Sequence, residues 1–146
     1  MRITLRKARI TDIRMIYRWR NHPRIRKWMF VSKQIAWKEH EKFWKKRLKK
    51  RNRYSYIVQV DGKDGGVIRL DPDSRNRKQY AIDVYLEPKL QGKGVGRRTI
   101  AAIKKIARKK RIKALAATVK PTNRRSQKIF EKNNFKLRHY EYRYKL

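Results

Sequence analysis

The chain has no cysteine, so it can form no disulfide and has no thiol for nucleophilic chemistry. Histidine is nearly as scarce. His22, His40 and His139 are all there are, none spaced as a ligand pair, which argues against a metal centre. No apolar run approaches the roughly 20 residues of a membrane-spanning helix. The opening Met1-Arg-Ile-Thr-Leu-Arg6 reads as a strand and not as a signal peptide, which predicts a cytoplasmic protein. Acidic residues are few, with 11 Asp and Glu against 45 Lys and Arg, a formal net charge of +34.

That charge draws polyanions of any kind. Nucleic acid is the first partner it suggests. The basic residues are not confined to one motif, however. They occupy residues 38–53, 75–78, 104–113 and the C-terminal stretch. The competing reading is a generally basic surface that suits small anionic ligands. The 146 residues, 39% of them hydrophobic, suffice for one domain with a real core, taken as residues 1–146. Apart from lysine runs there is no repeat, linker or low-complexity segment.

Residues 2–7 alternate as a strand. Thr11-Asp12 can cap a helix over 12–20, which Asn21-His22-Pro23 breaks. A short helical piece with Ile25, Trp28 and Met29 follows. Trp37, His40, Phe43, Trp44, Arg47 and Leu48 recur at helical spacing from about Ala36. Strands are expected at 54–61, 67–70 and 80–86, separated by the turn residues Asp61-Gly62, Asp64-Gly65-Gly66 and Asp71-Pro-Asp-Ser74. A helix over 96–110, a strand over 114–119, a helix over 123–133 and aromatic-rich strand material from Phe135 to Leu146 complete the order. This alternation predicts an α/β (α+β) domain with a mixed sheet and helices on both faces.

The densest signal is Tyr80 to Arg98, a strand running into Gln91-Gly-Lys-Gly-Val-Gly96 and then a helix. Glycines let a backbone adopt positive φ and approach a ligand. The helix start adds free N–H groups and a positive dipole end. The pair suits a phosphate-bearing ligand, although a plain turn before a helix reads the same way. The spacing matches neither a P-loop nor the dinucleotide G-x-G-x-x-G fingerprint.

A second motif, Asn123-Arg-Arg-Ser126 through Phe130 to Asn133-Asn-Phe135, lies downstream. Together, in this order and on these elements, the two motifs resemble the GNAT acyl-CoA N-acyltransferase superfamily. The resemblance covers nearly the whole chain. It implies a mostly antiparallel sheet of six to seven strands, splayed at an acetyl-CoA site. Acetyl-CoA is then the co-substrate, with no metal. Its pyrophosphate would meet backbone N–H groups of Gln91, Gly92, Lys93, Gly94, Val95, Gly96 and Arg97. Its pantetheine arm would pair with Val84 and Leu86. Asn123, Ser126 and Phe130 would complete the cofactor side.

Trp19-Arg-Asn-His-Pro23, Arg26-Lys-Trp-Met-Phe30 and His40-Glu-Lys-Phe43 look like the UDP-4-amino-sugar N-acetyltransferases of the pseudaminic acid pathway. By that resemblance Arg20 and His40 contact a diphosphate, Met29 and Phe30 lie against sugar and uracil, and Phe43 helps stack the base. Trp28 packs nearby, and Tyr85 faces the sugar nucleotide. Planar arginine donors suit phosphate, and aromatic rings stack on any base. Ordinary core filling is the alternative for each aromatic. Phe130 stands where relatives often carry the tyrosine assigned as general acid, and phenylalanine has no proton to give. Tyr85, Tyr140 and Tyr142 are candidate replacements. Asp83 is either a base toward the substrate ammonium or a salt-bridge partner.

The implied reaction is direct attack of a neutral amine on the thioester. Backbone N–H groups near Val84–Leu86 would polarise the carbonyl, and a positive protein would lower the amine's pKa by repulsion. The competing readings are a GNAT enzyme for a protein N-terminus or ribosomal target, and a catalytically impaired basic nucleic-acid-binding module. The partners expected are acetyl-CoA and a UDP-amino sugar, with non-specific nucleic acid binding through the charge. Monomer and homodimer both fit.

Overall fold

A computed structural model describes residues 1–76 and 78–137. The described strands form one five-stranded sheet in the order β1-β2-β3-β4-β5, comprising Ile3–Lys7, Tyr54–Val60, Lys63–Pro72, Tyr80–Leu86 and Leu115–Ala117. The first four pair antiparallel, and β4 and β5 pair parallel. Among the described residues five α-helices accompany them: α1 (Ile13–Asn21), α2 (Pro23–Arg26), α3 (Trp37–Leu48), α4 (Val95–Lys109) and α5 (Arg124–Lys132).

Strand alternation sorts the side chains into two cores. Ile57 and Val67 face α1 and α3, where Ile13, Ile16, Trp19 and Trp44 are buried. Val58, Ile68, Leu70 and Ile82 face α4, where Val95, Ile100 and Ile103 are buried. Helices therefore cover both faces, as the element order implied.

Two local expectations change. The mostly antiparallel sheet has five strands among the described residues. Residues 138–146, where the last strand material, His139, Tyr140 and Tyr142 were placed, lie outside the description. Asp64-Gly65-Gly66 is not a turn but the start of β3. The reversal is made by Asp61 and Gly62, both at positive φ (50° and 82°), a two-residue hairpin loop of the kind that matches strand twist. Gly66 serves close packing instead, because a Cβ there would sit 2.6 Å from the Tyr85 carbonyl oxygen and 2.6 Å from a Leu86 methyl. Finally, β5 is three residues long, not six.

That shortening matters for function. Pairing of β4 with β5 stops at Ile82 opposite Ala117. Asp83 to Leu86 continue to pair with β3 but have no β5 residue on their other side. The sheet is splayed there, and the splay opens a cleft.

Candidate active site

The cleft has a volume of about 950 Å³. Its floor is the edge of β4 beyond Ile82, unpaired among the described residues. One wall is the 91–97 loop with α5, and the other is the 20–43 segment.

The loop wall is built from main chain. Gly92 and Gly94 have φ of +77° and +83°, a region that costs other residues about 1–2 kcal/mol. A Cβ at either would meet nothing within 4 Å, so torsion and not crowding calls for glycine. Gly94 is the N-cap of α4, and the first N–H groups of that helix have no intrahelical acceptor. Gly96 does different work. A Cβ there would lie 2.7 Å from the Ile129 Cδ1, so its missing side chain lets α4 and α5 approach. Val95 is in the core, 1% exposed, and could reach a ligand only through its backbone. Lys93 is exposed and is not part of the cleft lining.

Side chains brace this wall. Gln91 donates through Nε2 to the Leu86 carbonyl (3.3 Å) and accepts from Arg125 Nη1 (3.0 Å), joining β4, loop and α5. Asn123 caps α5, its Oδ1 accepting the Ser126 N–H at 3.2 Å. Phe130 packs edge-on to Phe135 with centroids 5.1 Å apart. Arg97, Arg124 and Arg125 supply positive charge along the rim.

The opposite wall is built from side chains already bonded to one another. Arg20 donates to the Val31 carbonyl at 2.9 Å and reaches that of Lys33 at 3.5 Å, so it holds the loop carrying Met29 and Phe30. Phe30 and Phe43 are exposed at 64% and 47%, and both line the cleft. Trp28 is half-buried beneath the Lys27 ammonium.

His40 is buried, and its Nε2 lies 2.9 Å from the Ile13 carbonyl. That oxygen only accepts, so Nε2 carries the proton. Burial, with Arg20 and Arg69 nearby, lowers the ring's pKa below its ordinary 6.5. The neutral ring keeps Nδ1 as an acceptor, so a hydrogen bond from it to phosphate would require a second proton.

Arg69 on β3 was not anticipated. It stands directly opposite Asp83 on β4 and forms an ion pair with it. Its guanidinium lies 5.3 Å from the Phe43 ring centre. Alternation along β3 puts Val67, Arg69 and Asp71 on one face, but no local motif marks Arg69 as a cleft residue. Tyr85, two residues beyond Asp83, is half-buried in the cleft. Burial pushes its hydroxyl well above the ordinary tyrosine range, so it is protonated at neutral pH. The cleft thus gathers Arg20, Met29, Phe30, His40, Phe43, Asp83, Val84, Tyr85 and Leu86 with Gln91, Gly92, Gly94, Gly96, Arg97, Asn123, Ser126 and Phe130. Among the described residues no group of three metal-binding side chains occurs, and no helix is long and apolar enough to cross a membrane.

The family model for the acetyltransferase (GNAT) domain matches residues 2–136. Acetyltransferase PseH of Campylobacter jejuni subsp. jejuni is 33% identical over 125 residues, 85% of this chain and 76% of that protein. A solved domain from Methanocaldococcus jannaschii superposes with a TM-score of 0.80 at 26% identity, covering 92% of this chain and 88% of that one. Aminoglycoside acetyltransferase AAC(6')-Ib in complex with coenzyme A superposes with a TM-score of 0.81 at 19% identity, covering 92% and 84%.

Proposed function

The chain belongs to the GNAT acetyltransferase family, and we propose that it acetylates the primary amine of a UDP-linked deoxy amino sugar. The protein is an acetyl-CoA-dependent N-acetyltransferase. The observation that carries the finer reading is the charge of the acceptor wall. Asp83 is the one carboxylate lining the cleft among the described residues, and Arg69 holds it. On the 20–43 wall Arg20, Arg24 and Lys27 line the cleft, and Arg97, Arg124 and Arg125 add positive charge from the loop wall. Such a cleft favours an anionic acceptor and repels a polycation. Exposed Phe30 and Phe43 add faces for a nucleobase.

Acetyl-CoA supplies the thioester carbonyl that a neutral amine attacks, with the thiol as leaving group. The chain's residues fit it. The glycine loop and the α4 N-terminus offer N–H groups for the pyrophosphate. The open edge of β4 offers main-chain hydrogen bonds to an extended arm. N–H groups of the same edge polarise the carbonyl. Tyr85 holds a proton in the cleft that it can give to the departing sulfur, a role Phe130 cannot fill. Asp83, kept near by Arg69, can receive the proton shed by the incoming ammonium. The surrounding cations lower that ammonium's pKa.

Calorimetry with acetyl-CoA, then with a UDP-4-amino sugar, an aminoglycoside and spermidine, tests this. The nucleotide sugar should bind and be acetylated with the highest kcat/KM. Preferred turnover of either polycation would overturn the reading. Arg20→Ala should abolish acceptor binding while acetyl-CoA still binds.

A further inference from the structure

One guanidinium in the cleft has more hydrogen-bonding capacity than the fold uses. Arg69 is directly across the ladder from Asp83, on the face of β3 that also carries Val67 toward α1 and α3. An arginine carries five N–H donors. Among the described residues Arg69 engages through Nη2 alone, on the Asp83 carboxylate. Its Nε is buried and has no partner. Buried polar groups nearly always find one, so an idle donor in a cleft needs a reason. The side chain is not loose. Its guanidinium lies 5.3 Å from the Phe43 ring centre and 5.9 Å from that of Trp44, within cation–π range. Two rings and the strand register thus fix a group that still lines the cleft.

Its neighbour is idle in the complementary sense. Asp83 has Arg69 as its one hydrogen-bond partner among the described residues, and its side chain is 45% exposed. Tyr85, opposite Val67 in the same register, stands on the same face. One row therefore sets an accepting carboxylate against a donating guanidinium. Because the two touch, a ligand that uses both must carry a donor and an acceptor a short distance apart. An amine nitrogen and an oxygen on the neighbouring carbon are placed that way. The oxygen must be neutral, because Asp83 already balances the Arg69 charge and would repel a phosphate there.

We propose that Arg69 is a specificity-determining residue, donating to a hydroxyl or amide oxygen on the carbon next to the reacting amine while Asp83 accepts from the amine itself. This rests on the acetyl-transfer function given to the cleft above, and it narrows the acceptor without depending on the nucleotide. An amine with no oxygen at that position leaves the guanidinium unpaired, and a site built to bond an oxygen discriminates against a ligand that lacks it.

Two matched pairs of acceptors test this. Trans-2-aminocyclohexanol is compared with cyclohexylamine, and a UDP-4-amino sugar with its 3-deoxy analogue. Rates with acetyl-CoA are expressed per neutral amine, since the hydroxyl lowers the amine's own pKa. In the unaltered protein kcat/KM should favour the hydroxylated member of each pair by at least about tenfold, the size expected for a hydrogen bond from a charged donor. Arg69→Met should bring that ratio to within about threefold of one, and Arg69→Lys, which keeps a charged donor, should restore part of it. Any slowing through the unpaired Asp83 affects both members and cancels in the ratio. Melting curves identify a variant that has failed to fold. A ratio near one for both pairs in the unaltered protein would overturn the proposal, whatever the variants do. So would a ratio that survives Arg69→Met in a folded protein, which would put the oxygen's partner elsewhere. Preference for the hydroxylated members, with no advantage of the UDP-linked pair over the free pair, would uphold Arg69 in this role and overturn the nucleotide acceptor alone.

Discussion

The two walls of the cleft differ in what they are made of. The loop wall presents backbone: two glycines at positive φ, a helix start and an open strand edge. The 20–43 wall presents side chains, with Arg20 on loop carbonyls, His40 on Ile13 and exposed phenylalanines. On the function proposed above, the main-chain wall would read what every acetyl-CoA has in common, and the side-chain wall, which can be altered residue by residue, would set acceptor choice.

The sharpest challenge to this division is Tyr85→Phe, on the strand that floors the cleft between the two walls. kcat should fall by about 100-fold, the lower range for loss of a general acid, while both KM values stay within about threefold. Steady-state kinetics with thiol detection measures this, and a kcat within about twofold of the parent would remove Tyr85 from the chemistry. Next in size is Gly94→Val. A β-branched residue at φ +83° is a strong outlier, so the loop must move. KM for acetyl-CoA should rise about tenfold with KM for the acceptor unchanged. A matching rise in both would mean the walls are coupled. Phe43→Ala should give the mirror result. The ring is half-exposed and rests edge-on to Trp44, so its loss should raise the acceptor KM by about fivefold and leave Tm and acetyl-CoA affinity nearly unchanged.

The smallest effect concerns stability and pH. Burial lowers the His40 pKa in the folded protein. As pH falls below about 6.5 the unfolded chain takes up a proton that the folded chain refuses, so stability declines. Above that pH the contribution is fully present. Melting curves between pH 7.5 and 5 should show Tm falling for the parent protein, and less steeply for His40→Gln. Parallel slopes would mean that His40 is not the group responsible.

Much of the loop wall was legible in the chain itself. Gln91 to Gly96 and Asn123 to Phe135 are contiguous, and glycine at positive φ has few substitutes, so torsional need appears directly as residue type. The element order was legible for the same local reason, since hydrophobic period reports which face is buried. Yet the three glycines looked alike, and only the fold separated Gly92 and Gly94, needed for torsion, from Gly96, needed for the approach of α5. The Asp64-Gly65-Gly66 run looked like a turn because glycine pairs usually mark one. Its actual reason, contact of Gly66 with the Tyr85 carbonyl, comes from a strand about 20 residues away in sequence.

The side-chain wall was legible in its aromatic and basic types but not in its bonds. Arg69 went unnoticed because its partner, Asp83, is fourteen residues on and meets it only through strand register. By itself, then, the sequence determined the family, the glycine cradle, the helical order and the excess of positive charge, all of which are properties of neighbouring residues. Tertiary structure alone decided where β5 stops pairing, which opens the cleft. It also decided that Arg69 holds Asp83 and that His40 is buried neutral. Each of these depends on distances between segments, and local residue patterns do not encode those distances.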